Sequence, residues 1–141
     1  MSTQRMSLMT LPVDDLSDAI DFYQRAAGWE VQMRFADDIA FVQMNGFVAA
    51  LWSRRSWEAE GLDFPPPGYT SFAINFSRPP EVDAAAGKWA AAGGAVVKKP
   101  GIAYWGGYSS YVRDPWGNLI EFAVNDVLEI TEDGRTILRG V

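Results

Sequence analysis

Near the end of the chain one carboxylate stands in the middle of an apolar run. Asn118-Leu119-Ile120-Glu121-Phe122-Ala123-Val124 has the composition of a strand, and Glu121 is its only charge. Hiding an unpaired carboxylate in apolar surroundings costs several kcal/mol, so Glu121 needs a metal, a ligand, a hydroxyl or water. It is the candidate acid or base of the chain. What is missing narrows the chemistry as much. There is no histidine and no cysteine among the 141 residues. Ser-His-Asp and Cys-His arrangements are therefore impossible, as are thiolate metal sites and disulfides. A metal would have to rest on carboxylates, amides and water, donors that suit magnesium, calcium or manganese.

The rest of the composition describes a folded chain of one-domain size. Apolar residues make up 48% and aromatics 13%, enough for a real core. No apolar run is long enough to span a bilayer, and MSTQRMSLMT lacks the apolar core of a signal peptide. With no cysteines, a cytoplasmic location is the expectation. Formal net charge is −6. Such a chain repels phosphate backbones, and no Lys/Arg cluster offers an exception, so nucleic acid is not an expected partner and neither is a membrane.

The elements that must position Glu121 follow a repeated order. MSLMTLPV, Met6 to Val13, reads as a strand. Asp14-Asp15 offers an N-cap, and Leu16, Ile20, Tyr23 and Ala27 form a helical stripe that Gly28 ends. WEVQMRF, IAFVQM and FVAALW read as three short strands, the last two joined by the hairpin signal Asn45-Gly46. The order then recurs. YTSFAINF, Tyr69 to Phe76, is a strand. Ser77-Arg78-Pro79-Pro80 opens a helix with Val82, Ala85, Ala86 and Trp89 on one face, and Gly93-Gly94 stops it. AVVKKP, GYSSYVR and NLIEFAV follow as strands. The reading is one domain over 1–141 of α+β class, built of paired βαβββ modules. Module one covers about residues 6–52 and module two about 69–125. Residues 53–68 form a lid or a linker, and SWEAEGL within them suits one or two helical turns. The extension 126–141 contains Asp133-Gly134, a small hairpin signal.

LPVDDLSDAIDFYQRAAGWEV in the first half and DPWGNLIEFA in the second resemble the vicinal oxygen chelate superfamily. That group contains glyoxalase I, bleomycin-resistance proteins and extradiol dioxygenases. YWGGYSSYVRDPWGNLIEFAVN is also similar to a large subgroup with a Trp-Gly-Gly-Tyr run before the Asp-Pro turn. In the metal-dependent members four strands supply four ligands. The resemblance puts those positions near Leu8, Ala50, Ser71 and Glu121, of which only Glu121 is a good donor. Thr10 and Asn75 are the neighbours that could be recruited. The expectation is no metal and no cofactor, which takes away the charge stabilisation on which glyoxalase or dioxygenase chemistry depends.

The fold that the resemblance implies, a curved mixed sheet around a cavity with helices on the outside, aims Leu8, Thr10 and Pro12, Val48, Ala50 and Trp52, Ser71, Ala73 and Asn75, and Leu119, Glu121 and Ala123 into one hollow. Trp52, Trp57, Tyr104, Trp105, Tyr108, Tyr111 and Trp116 gather near its mouth and the linker. The expected ligand is a small organic molecule, cationic or aromatic, held by Trp52, Ser71, Trp105, Tyr108 and Glu121. The alternative is an enzyme of lyase, isomerase or dioxygenase type that uses Glu121 as acid/base, or a weak divalent ion at a rearranged site. A purely structural Glu121, satisfied by a Ser, Thr or Tyr hydroxyl or by water, is an equal reading of that residue. Trp105-Gly106-Gly107 is a loop at the cavity edge or a β-bulge, and Arg54-Arg55 are surface residues or anion contacts. The resemblance also implies a homodimer.

Overall fold

The computed structural model describes residue 2 and residues 4–68 and 71–140. The elements run β1 (Leu8–Val13), α1 (Leu16–Ala27), β2 (Met33–Phe35), β3 (Ile39–Gln43), β4 (Val48–Ser53), α2 (Arg54–Ala59), β5 (Ser71–Asn75), α3 (Pro79–Ala91), β6 (Ala95–Ile102), β7 (Tyr108–Arg113) and β8 (Leu119–Val124). A terminal hairpin of β9 (Leu128–Ile130) and β10 (Thr136–Leu138) closes the chain. The βαβββ order is present twice, and the mixed sheet is built as two four-stranded sheets in two compact units. The first sheet has the order β1-β4-β3-β2 and the second β5-β8-β7-β6, so the repeat extends to topology. In each, the first strand lies parallel to the last, and the other pairs are antiparallel.

Local chemistry accounts for the ends of the elements. The Asp15 carboxylate accepts from the Asp18 amide at 2.9 Å and caps α1. Gly28, at φ 71°, stops that helix in the left-handed conformation that a side chain disfavours. α3 starts on Pro79, which has no N–H to leave unsatisfied there. Between β3 and β4 the Met44 amide bonds the Phe47 carbonyl across Asn45-Gly46.

Besides shifts of one or two residues at several strand ends, three elements differ in extent from the sequence reading. The strand expected over WEVQMRF is confined to Met33–Phe35, because Trp29 stacks on Tyr23 at 4.6 Å instead of joining the sheet. β6 runs past Pro100 to Ile102, with register shifts between Val96 and Lys98 and between Lys98 and Gly101. Pro100 is tolerated because β6 is an edge strand. The strand expected from Tyr69 to Phe76 is Ser71–Asn75; Tyr69 and Thr70 lie outside the described residues. Among the described residues no helix is long and apolar enough to cross a membrane.

In the first unit Leu11, Val13, Ala40, Val42, Ala49 and Leu51 are buried on one face of the sheet. In the second, α3 covers one face through Val82, Ala86 and Trp89. Trp89 meets Phe122 edge to face at 5.8 Å, and its Nε1 donates to the Arg113 carbonyl at 2.8 Å. Ile120, Phe122 and Val112 therefore face α3. Alternation turns Leu119, Glu121 and Ala123 the other way.

Candidate functional site

The face of the second sheet away from α3 carries three short columns that register makes into a grid. Ser71, Ala73 and Asn75 of β5 lie beside Leu119, Glu121 and Ala123 of β8. These in turn lie beside Arg113, Tyr111 and Ser109 of β7. Glu121 is at the centre, half-buried, with Ala73 on one side and Tyr111 on the other. Four of its neighbours are Ala or Ser, so the face is shallow around the carboxylate.

Tyr111 is the cross-strand neighbour of Glu121 on β7. Desolvation first, then the nearby Glu121 carboxylate, hold the Tyr111 pKa above the ordinary 10.0. Tyr104 adds a smaller push in the same direction. Among the described residues no Lys or Arg forms an ion pair with Glu121. The cation on its face, Arg113, is occupied: Nη1 donates to the carbonyls of Gly117 at 2.7 Å and Gly68 at 3.2 Å. The role of Tyr111 is the part that sequence reasoning did not single out. Its signal was nevertheless present, because Tyr111 and Glu121 stand equally far from Trp116 on the two arms of one hairpin.

The loop between β6 and β7 is a tight connection closed by Ala103 N–H to Gly107 O at 2.8 Å. A Cβ on Gly107 would lie 1.9 Å from the Trp105 ring and 2.5 Å from the Val124 carbonyl oxygen. Glycine is there because the indole and the neighbouring strand fill that space. The irregularities of this hairpin fall in β6, at Lys98 and Gly101, and not at Gly106-Gly107. Trp105 is 41% exposed and Tyr104 fully so. Tyr108 turns to the helix side, where its hydroxyl donates to Asp83 Oδ1 of α3 at 2.6 Å. That bond is the first cause of its raised pKa. Glu121, Ser71 and Tyr111 thus share one face of the sheet, and Tyr108 lies on the other.

In the first unit the corresponding columns are Leu8, Thr10 and Pro12 beside Val48, Ala50 and Trp52. Phe41 and Ile39 continue the rows. The surface is apolar. Trp52 meets Trp57 of α2 edge to face at 5.3 Å, and Trp57 Nε1 donates to the Asp63 carbonyl at 2.8 Å. α2 is capped by the Ser53 hydroxyl. Arg54 pairs with Asp14 and lies over the Phe64 ring, while Arg55 pairs with Asp38 at 3.0 Å. The two arginines therefore tie α2 to the loops beside it.

The donor set does not fit a metal cage. Leu8 and Ala50 have no donor atom in the side chain, and Ser71 offers an exposed neutral hydroxyl. Among the described residues no three Asp or Glu side chains converge closely enough to hold an ion.

Comparison with known proteins gives one family and many structures. A family described as the Glyoxalase/Bleomycin resistance protein/Dioxygenase superfamily matches residues 5–122. No curated protein matches the chain. Among solved structures, a glyoxalase-related enzyme from Fulvimarina pelagi is 34% identical with a TM-score of 0.87, covering 96% of this chain and 98% of its own. A glyoxalase/bleomycin resistance protein/dioxygenase from Nocardioides is 25% identical with a TM-score of 0.71, covering 88% and 85%. Lactoylglutathione lyase from Agrobacterium tumefaciens, at 22% identity and a TM-score of 0.69 over 89% and 96%, shares the fold.

Proposed function

We propose that this chain, which belongs to the Glyoxalase/Bleomycin resistance protein/Dioxygenase superfamily, is a small-molecule-binding protein that works without a metal ion. Its ligand lies against the face of the second sheet that Glu121 centres, beside Ser71 and Tyr111, with Trp105 at the hairpin end. The observation that carries this reading is the donor set. The one strong donor at the family's ligand positions, Glu121, lies beside the Tyr111 phenol of the next strand, and its companions Leu8, Ala50 and Ser71 cannot complete a coordination sphere. On the β5 side Glu121 has the exposed, small Ser71 and Ala73 as neighbours. A cytoplasmic location and a homodimer belong to the same proposal.

A second reading keeps the surface and adds turnover. A carboxylate and a protonated phenol side by side are a base and a hydrogen-bond donor. The 34% identical relative is called a glyoxalase-related enzyme, which favours giving this reading a test.

A thermal-shift screen of small organic molecules, run in chelator, tests the binder. A ligand at a hundredfold excess over Kd stabilises by about 2.7 kcal/mol. We expect hits that survive the chelator and weaken in Glu121→Gln. A divalent ion that co-purifies at full stoichiometry, and is lost in Glu121→Gln, would replace the proposal with a metal-assisted one.

A further inference from the structure

We propose that residues 54–64 form a strap latched over the Trp52 end of the first sheet by two exposed ion pairs, and that ionic strength governs its opening. The strap belongs to the first unit, and its opening is independent of what binds at Glu121.

The strap is one piece with little packed beneath it. α2 has no buried residue, and its ring against the sheet is Trp57, edge to face on Trp52 at 5.3 Å. Trp57 also donates through Nε1 to the Asp63 carbonyl at 2.8 Å, which joins the helix to the segment that follows it. A helix of six residues is not stable alone, so α2 melts once released from its anchors. Beside its first turn lies a polar cavity of about 380 Å³, bordered by Asp14, Asp15, Ser17, Asp37 and Arg55, where a core helix would have packed side chains.

What holds the strap is charge. Arg54 donates from Nε to Asp14, in the turn that leads into α1. Arg55 donates from Nη2 to Asp38, in the turn between β2 and β3, at 3.0 Å. The anchors are fixed: the Asp38 carbonyl accepts from the Ser53 amide at 2.9 Å, and Asp14 directly precedes the α1 cap. The Arg54 guanidinium also lies 3.8 Å from the Phe64 ring centroid, so one side chain fastens both ends of the strap. Both ion pairs are exposed, which makes each of them weak and sensitive to salt. The strand that leads into the strap is held differently. β4 is paired on both edges, to β1 and β3, and Ala49, Ala50 and Leu51 are fully buried. The strap therefore opens at a smaller cost than the sheet, and opening takes Trp57 off Trp52.

Hydrogen exchange of the full chain, followed by nuclear magnetic resonance against an unstructured peptide as rate reference, tests this. Raising sodium chloride from about 0.01 M to about 1 M shortens the Debye length from about 30 Å to about 3 Å and weakens exposed pairs. Three protons report on the strap: the Glu60 and Gly61 amides, bonded to the Trp57 and Glu58 carbonyls, and the Trp57 indole N–H. Each should exchange about tenfold faster at high salt, the combined effect of losing two exposed pairs. All three should follow one common salt dependence, because one opening releases them together. The amides of Ala49, Ala50 and Leu51 should not respond. Asp14→Asn combined with Asp38→Asn should produce the same acceleration at low salt and remove most of the salt response. Strap protons that ignore salt in wild type overturn the latch. An indole N–H that keeps its rate while the two amides speed up overturns the strap, since α2 then frays in place. Acceleration that spreads to Ala49, Ala50 and Leu51 overturns it too, because the sheet itself then opens. The wild-type salt series decides even where the double variant fails to fold.

Discussion

At the scale of residues, Tyr111 and Tyr108 are two phenols with different employers. One lies beside the Glu121 carboxylate on the face away from α3, the other ties β7 to Asp83 of α3. Both have pKa values raised above 10.0: Tyr111 by desolvation first, then Glu121, and Tyr108 by the Asp83 bond first. A phenol whose folded-state pKa exceeds its unfolded value holds its proton longer in the fold. Its stabilising contribution is complete below the unfolded pKa near 10 and is lost as pH rises through the folded value. Melting temperature should therefore fall as pH climbs above 10, and fall less steeply in Tyr111→Phe and Tyr108→Phe. Alkaline melting curves that run parallel in wild type and both variants would deny the two phenols this role.

At the scale of elements, the turn before Glu121 sets the register that brings Tyr111 to it. Asp114, only 3% exposed, accepts from the Trp116 and Asn118 amides through Oδ1 at 2.9 and 2.8 Å, and from Asn118 Nδ2 through Oδ2 at 2.7 Å. Asp114-Pro115-Trp116-Gly117 is thus a braced hairpin turn without chemistry of its own. Asp114→Ala leaves these donors without the carboxylate and should cost about 3 kcal/mol in urea unfolding. Asp114→Asn, which keeps the Oδ1 acceptor, should cost about half as much. A loss under about 0.5 kcal/mol in Asp114→Ala would mean that the backbone alone holds the turn. Edge strand β6 shows a second element-scale device. Two register shifts, Lys98, Lys99 and Pro100 make it a poor template for another strand.

At the scale of the whole molecule, the repeated topology is the dominant fact. Both units put the first strand beside the last, which centres β4 and β8, and Ala50 and Glu121 occupy matching places. One of these carries a carboxylate and the other a methyl group. The single-domain reading of the chain predicts one cooperative calorimetric transition. Two resolved transitions would make each unit a domain in its own right. The homodimer proposal predicts a sedimentation mass near twice the 15.6 kDa chain at micromolar concentration, and a monomer mass there would dismiss it.

The order of elements, the Asp15 cap, the Gly28 stop and the Asn45-Gly46 turn were all legible in the sequence, because period, caps and turns are decided by residues a few positions apart. That the side chains of Leu8 and Ala50 carry no donor atom is likewise plain from the sequence. The end of β2 was not legible, because Trp29 answers to Tyr23 rather than to strand propensity. Nor was the division of labour on β7. Tyr108 and Tyr111 look alike in sequence, and only the packing of α3 on one face decides which phenol meets Asp83 and which meets Glu121. A carboxylate's need for a partner is local chemistry; the identity of that partner depends on which strand the fold lays beside it.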